Sequence, residues 1–484
     1  MASLRYLSSL LLLNAMSLFA QIDTAIINHD SPIPCLTGEA WNNPALTSFK
    51  YSSSLTEISG RFMNCSKERY GEFKAETYII KGNITLTADA KYDNGAMHNV
   101  RFCENVDIQK VYPYLTYDAV GGNLNLERYA FGGSVTIALG NRWTIGASGS
   151  YNAGLYYRNV DPRPKDITAL LEISAGASYS LTEKYRLALN GDYSKYKQTC
   201  EISFMSELGS SKIYHMTGLG SHYARFAGQG LSSYYNGFKY GGALTLFPLS
   251  SGMYANIGAH IEKINHILTD LNKLPMSKVD NRSLCAEAGY KTDVWGLTAF
   301  CNFERRHGYE NIFGDASTAQ YPMIASLGMF LSNSNRIGLR SLYSLKIGKT
   351  RLSFSPEIIY THYSESYREP AKSIMIDNLS AGTGAEMTML IKNRVILRAD
   401  ACYRYIPALS SNSVNITTDN PDIEPFVTIL SEGFDNAAST RQFASVKAGV
   451  DVLLKNKYAV SFDASYSHLS GEADVSTLSI SFKF

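Results

Sequence analysis

Alternation of apolar and polar residues with a period of two runs through most of this 484-residue sequence. In residues 441–454, Ala444, Val446, Ala448, Val450, Val452 and Leu454 fall on one side, and Ser445, Lys447, Gly449 and Asp451 on the other. Successive side chains of an extended chain point to opposite faces, so the pattern predicts a strand with one apolar and one polar face. After a Lys455-Asn456-Lys457 turn, Tyr458, Val460, Phe462, Ala464 and Tyr466 alternate with Ala459, Ser461, Asp463 and Ser465, which completes a hairpin. Similar tight turns are predicted at Gly140-Asn141-Arg142, Thr182-Glu183-Lys184, Ser250-Ser251-Gly252, Thr292-Asp293, Gly348-Lys349 and Lys392-Asn393. Longer polar stretches separate the hairpins, at 93–125, 152–167, 199–237, 308–335 and 406–440.

Short turns alternating with long loops are the asymmetry of outer-membrane barrels, with the tight turns in the periplasm. Counted back from the C-terminus, the short turns all fall on one side if 321–330 is not a separate spanning strand. The expectation is an all-β fold, a transmembrane antiparallel β-barrel of about 14 to 18 strands with spans of roughly 9 to 12 residues. The full count reaches the upper figure. Before Gly95, the segments 48–56, 73–80 and 83–92 make two strands or three. Trp143, Tyr151, Tyr185, Tyr193, Tyr360, Tyr403, Tyr405, Tyr458 and Tyr466 stand at hairpin ends and predict interfacial girdles. A soluble Tyr-rich sandwich is the competing fold, but this length would need several domains, and no linker is visible.

Composition narrows the function classes. Charged residues make up 18% and tyrosines number 33, against a usual charged share of ~25%. Lys and Arg total 45 against 43 Asp and Glu, without the basic stripe of a nucleic-acid binder. No apolar run of ~20 residues follows residue 20, so helical spans are excluded. A membrane crossing must then be made by a closed sheet.

The two ends fit an exported barrel. Arg5, the apolar run Leu10 to Leu13 and the small Ala20 read as a signal peptide over 1–20. An N-terminal segment over 21–46 follows, periplasmic or inserted in the lumen, and the barrel occupies 47–484. At the far end, Leu478, Ile480, Phe482 and Phe484 share one strand face. This resembles the terminal strand by which outer-membrane barrels are recognised by their insertion machinery. The resemblance implies that machinery and the lipid bilayer as partners, and the cell outer membrane as the location after signal cleavage.

With the apolar face outward, Arg186, Asp192, Arg336, Arg340, Lys346, Glu357, Glu386, Arg398, Asp400, Arg404, Lys447, Asp451 and Asp463 face the lumen. Both signs are present, as expected where water or an opposite charge compensates each group. Two readings stay open: a solute pathway tuned by these charges, or an ion-paired lumen filled by the protein's own loops. Seven scattered cysteines offer no metal spacing, and Cys35 with Cys65 is the one pair placed for a periplasmic disulfide. Nine dispersed histidines make no HExxH or triad signature, so no catalytic residue, metal or cofactor is expected.

Two segments carry family resemblances. Asn43-Pro44-Ala45 after Ala40-Trp41-Asn42 resembles the start of barrels related to the long-chain fatty-acid transporters, in which the N-terminal stretch packs inside the barrel. Tyr112-Pro113-Tyr114, Asp118, Gly121-Gly122, Glu127, Tyr129, Phe131, Tyr157-Arg158 and Asp161-Pro162-Arg163-Pro164-Lys165 together resemble an uncharacterised outer-membrane β-barrel family of Bacteroidota. That resemblance implies fold and location but no substrate. Physically, Pro162 and Pro164 keep Asp161 and Arg163 out of helical conformations, so Arg163 is placed to fork onto a carboxylate such as Glu127 or Asp118. With Arg158 and Asp161 these residues are candidates for a clamp at the barrel mouth, a ligand site being the alternative. Function is then either a passive or gated channel for a small solute, or a non-conducting barrel that docks an outer-membrane partner through its long loops 199–237 and 406–440.

Overall fold

The computed structural model describes residues 45–58, 65–206, 211–226, 228, 232–315, 321–392, 394–454 and 458–483. The proposed signal peptide, most of the 21–46 segment, Cys35, the Lys455-Asn456-Lys457 turn and Phe484 lie outside these residues. The wall begins with β1 (Ala45–Ile58), β2 (Lys67–Lys81) and β3 (Ile84–Val100). An excursion then carries a single helical turn, α1 (Ile108–Val111), and β4 (Leu115–Tyr117). The wall resumes with β5 (Gly122–Leu139), β6 (Trp143–Tyr157), β7 (Arg163–Ser180) and β8 (Tyr185–Ser203). A second excursion holds β9 (Tyr214–Gly218) and β10 (Ser221–His222).

Four more wall strands follow, β11 (Ser233–Pro248), β12 (Gly252–Leu268), β13 (Leu274–Lys291) and β14 (Trp295–Phe313). Next come β15 (Met323–Ile347), β16 (Thr350–Tyr367), β17 (Lys372–Ile391), β18 (Val395–Ile406) and β19 (Ala408–Val414). Helix α2 (Glu424–Ala437) leads to β20 (Arg441–Leu454), β21 (Tyr458–Leu469) and β22 (Ala473–Lys483). Every wall pairing is antiparallel, and β22 pairs with β1 from Ser48↔Lys483 to Ile58↔Ala473, which closes the sheet. Both β18 and β19 pair with β17, and Pro407, which has no amide N–H to give the ladder, separates them. The nineteen wall segments therefore form eighteen strands.

The tight connections at 82–83, 140–142, 181–184, 249–251, 292–294, 348–349 and 392–394 share the rim where β1 starts and β22 ends. Gly82, Gly140 and Gly348 hold positive φ there, where a side chain would be strained. The outward face is apolar: Phe49, Phe73, Ile145, Ile173, Leu189, Ile257, Ile337, Val446 and Phe462 are all exposed. So large a continuous apolar surface requires hydrocarbon around it. Trp143 and Tyr151 on β6, and Tyr458 and Tyr466 on β21, are exposed and eight residues apart, roughly 26 Å along a strand. These rings bracket a bilayer-sized belt. Tyr185 is the exception to the expected girdle, folding over the 249–251 turn to accept a hydrogen bond from the Met253 amide at 3.3 Å.

Before Gly95 the wall makes three strands, one of the two expected alternatives, because Gly82-Asn83 is itself a hairpin turn. Other expectations about the wall change. Strands run to 25 residues in β15, well past the expected span, since they continue beyond the outer girdle. Residues 323–330 are part of that strand. The predicted loop at 152–167 shrinks to 158–162, because its polar residues Asn152 and Asp166 are inward wall positions. Tight turns at 269–273, 368–371 and 470–472 also join strands on the outer side.

Candidate functional site: a lumen capped by its own loops

Residues 101–121 are too apolar for a solvated loop, and Phe102, Cys103, Val106, Ile108, Val111, Leu115 and Tyr117 are all buried. They turn into the barrel. β4 pairs with β9 (Leu115↔Met216, Tyr117↔Tyr214) and β9 with β10, giving a small internal sheet. The third excursion adds α2, whose buried face is Phe426, Val427 and Leu430. Tyr117 sits at the junction, stacked on Phe102 at 5.8 Å and meeting Phe426 and Tyr214 edge-on at 5.6 and 6.1 Å. Inward wall residues Tyr196, Tyr235 and Ile264 complete this core, so three loops form one cap inside the outer half of the barrel.

Polar contacts tie the cap to the wall around its circumference. Tyr196 on β8 donates to Asp107 at 2.8 Å, and Tyr235 on β11 to the Tyr114 carbonyl at 3.0 Å. Lys110 pairs with Glu262 on β12 at 3.3 Å, while Arg306 on β14 donates to the carbonyls of Gln109 (2.5 Å) and Tyr112 (3.1 Å). Tyr112 donates to Glu365 on β16 at 2.7 Å. Lys372 on β17 donates to the carbonyls of Leu219 (3.2 Å) and Thr417 (2.7 Å), joining the second and third loops. At the outer surface, hydrogen bonds from Tyr214 and then Lys212 hold the Asp422 carboxyl below its usual range.

The residues expected to form a clamp enter separate contacts. Arg158, almost fully buried, reaches Glu104 at 3.1 Å and Asp118 at 3.6 Å and donates to the Pro162 carbonyl at 2.6 Å. Asp118 also accepts from Ser211 and from the Gly121 amide. This one guanidinium therefore joins residues 101–121 to the 158–162 turn, and Asp118 adds the 204–232 loop. Burial pushes the Glu104 carboxyl up to about 8, with Arg158 opposing. Arg163 instead bonds its neighbour Asp161 at 2.7 Å, and Asp161 caps the amides of Met205 and Ser206. Glu127 stands apart on the exterior, accepting from Tyr129 at 3.1 Å. Strand parity explains the exchange: Arg158 follows the inward positions of β6, whereas Glu127 shares the outward face of β5 with Tyr129 and Phe131.

Beneath the cap lies a cavity of about 700 Å³, with Asp107, Gln109 and Lys110 in its ceiling and Asp93, Arg128 and Glu262 among its walls. Its charges are matched: Arg128 pairs with Asp93 at 2.9 Å and Glu68 at 3.5 Å, and Lys91 with Glu72 at 2.6 Å. The predicted lumen charges take similar places. Asp192 meets His260 at 3.0 Å, Arg340 meets Glu287 at 3.3 Å, and Glu357 pairs with the buried Arg404. Arg398 bridges Asp451 at 2.7 Å and Asp463 at 2.9 Å. Asp400 lies between Glu386 and Lys447 in the register, and Arg186 donates to Ser180 at 3.1 Å.

Glu104, Asp107, Lys110, Tyr112, Arg306, Glu365 and Lys372 were not foreseen as cap anchors. A signal was available in Val106, Ile108, Val111 and Leu115, since four aliphatics within ten residues contradict a solvated loop. Cys65 is buried, and its proposed partner Cys35 lies outside the described residues. Among the described residues no three His, Cys, Asp or Glu side chains gather in a metal-binding arrangement.

Solved structures align with this chain at low similarity. The ferric preacinetobactin receptor BauA of Acinetobacter baumannii aligns over 91% of this chain and 80% of its own, with 10% identity and a TM-score of 0.39. The ferric-catecholate import receptor Fiu of E. coli K12 aligns over 92% and 82%, with 8% identity and a TM-score of 0.40. The toluene transporter TbuX of Ralstonia pickettii aligns over 93% and 92%, with 10% identity and a TM-score of 0.34. No curated protein matches the sequence. A family described as one of unknown function, DUF6850, matches residues 41–484, and the chain belongs to that family.

Proposed function

We propose that this protein is an outer-membrane channel or transporter for a small solute, closed at rest by its own loops. The carrying observation is the charged cavity directly beneath a cap held by hydrogen bonds and ion pairs, contacts that can be exchanged for water without breaking the wall. In planar bilayers the intact protein is expected to conduct weakly. Variants that loosen the cap, such as Tyr117→Ala, should conduct several-fold more. Equal conductance from both would reject gating by the cap, and the absence of any solute passage in either would reject the channel.

The same proposal keeps the finer assignments: residues 1–20 as a cleaved signal peptide, 21–46 as a periplasmic or lumen-inserted segment, and a Bacteroidota family with distant kinship to fatty-acid transporters. It also keeps the terminal strand as an insertion signal, supported by the exposed outward positions of Leu478, Ile480 and Phe482. A docking barrel remains the second reading, but its surface moves. The two loops first assigned to docking, 199–237 and 406–440, carry the cap. The β14–β15 hairpin instead rises above its neighbour, since residues 323–329 face a strand, β16, whose pairing begins only at Phe330. Its Met323, Ile324 and Leu327 are exposed. Copurification from native membranes tests this reading, and loss of a partner in an Ile324→Asp variant would support it.

A further inference from the structure

The outer wall is not uniformly ridged. On β2 and β3, next to the closing seam, Ala75 and Ala90 lie side by side in the register. Phe49 on β1 faces Ala75 from one side and Phe131 on β5 faces Ala90 from the other. One step further out, Phe73 and Tyr92 stand opposite each other and close the end of the depression. The result is an apolar groove of about 600 Å³ on the outward face. Below the two alanines the register continues with Thr77 and Ala88, again small, so the floor runs along the strands rather than across them. The register row through the alanines runs from Phe482, stacked on Tyr458 at 6.4 Å, to Tyr151, so the groove lies between the two girdles.

We propose that this groove is a seat for one acyl chain of a membrane phospholipid. Continuity with the lipid-facing belt decides the occupant: Phe49, Phe73 and Phe131 are each more than half exposed in the protein alone, and within the belt only hydrocarbon can cover them. The inference holds whether or not the lumen conducts.

The test is native mass spectrometry of the full chain released from nanodiscs of dipalmitoyl-phosphatidylethanolamine. The wild-type barrel is expected to retain one lipid after the others are stripped. Ala75→Trp with Ala90→Trp fills the floor and should lower the retained fraction by about tenfold, the effect of losing roughly two methylene contacts. Ala448→Trp, on the outward face of β20 four strands round the wall from β2, should leave retention unchanged. Phe131→Ala opens one side without adding bulk and should weaken retention if the double variant folds poorly. Equal retention in wild type, the filled variant and Phe131→Ala would overturn the seat, as would a wild-type barrel that keeps no lipid.

Discussion

The two halves of the lumen are enclosed by the same strands and yet are built on opposite principles. In the outer half, Tyr117, Phe102, Phe426, Tyr214 and Tyr235 pack as a dry core around loops that have turned inward. In the inner half, Arg128 with Asp93, Lys91 with Glu72 and Arg398 with Asp451 form compensated pairs along the wall. A β-barrel wall alone dictates neither. What differs is the partner opposite each inward position, protein in one half and solvent in the other. Closing the outer half with loops costs a desolvated polar border, and Arg158, Tyr196, Tyr235 and Lys372 supply its hydrogen bonds.

The sharpest way to break the contrast is to remove Arg158, which leaves Glu104 and Asp118 buried without their cation. Arg158→Ala should destabilise the folded cap by about 3–5 kcal/mol, read as protease cleavage within 101–121 while heat-resistant migration of the barrel persists. Tyr117→Ala should come next, at about 3 kcal/mol from a large cavity in the ring core, read as lower unfolding midpoints and higher conductance. The pH response follows from Glu104. Its carboxyl is lifted to about 8 in the folded protein, above its unfolded value near 4.5, so the folded state holds the proton more tightly. Cap stability should therefore be greatest below about 4.5, fall as pH rises toward about 8, and level off beyond. Glu104→Gln should flatten that profile, as measured by cleavage rate against pH. The smallest effect is expected from Arg398→Gln in the inner half, below about 1 kcal/mol because water screens the pair. A larger loss there would show that the inner half is as dry as the outer.

Legibility differed between the same regions. Val446, Val450 and Phe462 marked the lipid face in the bare sequence because membrane hydrocarbon acts on every second residue, a local rule. The tight turns were visible for the same reason. Residues 152–167 misled because Asn152 and Asp166 are polar for the sake of the lumen, and a polar inward residue looks like a polar loop residue. The clamp was half seen. Asp118, Arg158, Asp161 and Arg163 were singled out, but which arginine meets which carboxylate depends on strand parity at the rim.

By itself the sequence determined the closed antiparallel wall, its orientation of apolar and charged faces, and the division into short-turn and long-loop rims, since period-two patterning and turn chemistry act between near neighbours. Only the tertiary structure decided that the long loops fold inward, that Tyr117, Tyr214 and Phe426 meet, and that Arg158 rather than Arg163 holds them. Those contacts join residues up to some three hundred positions apart, as Tyr117 and Asp422 are, and no local pattern records a pairing that closure of the barrel alone brings about.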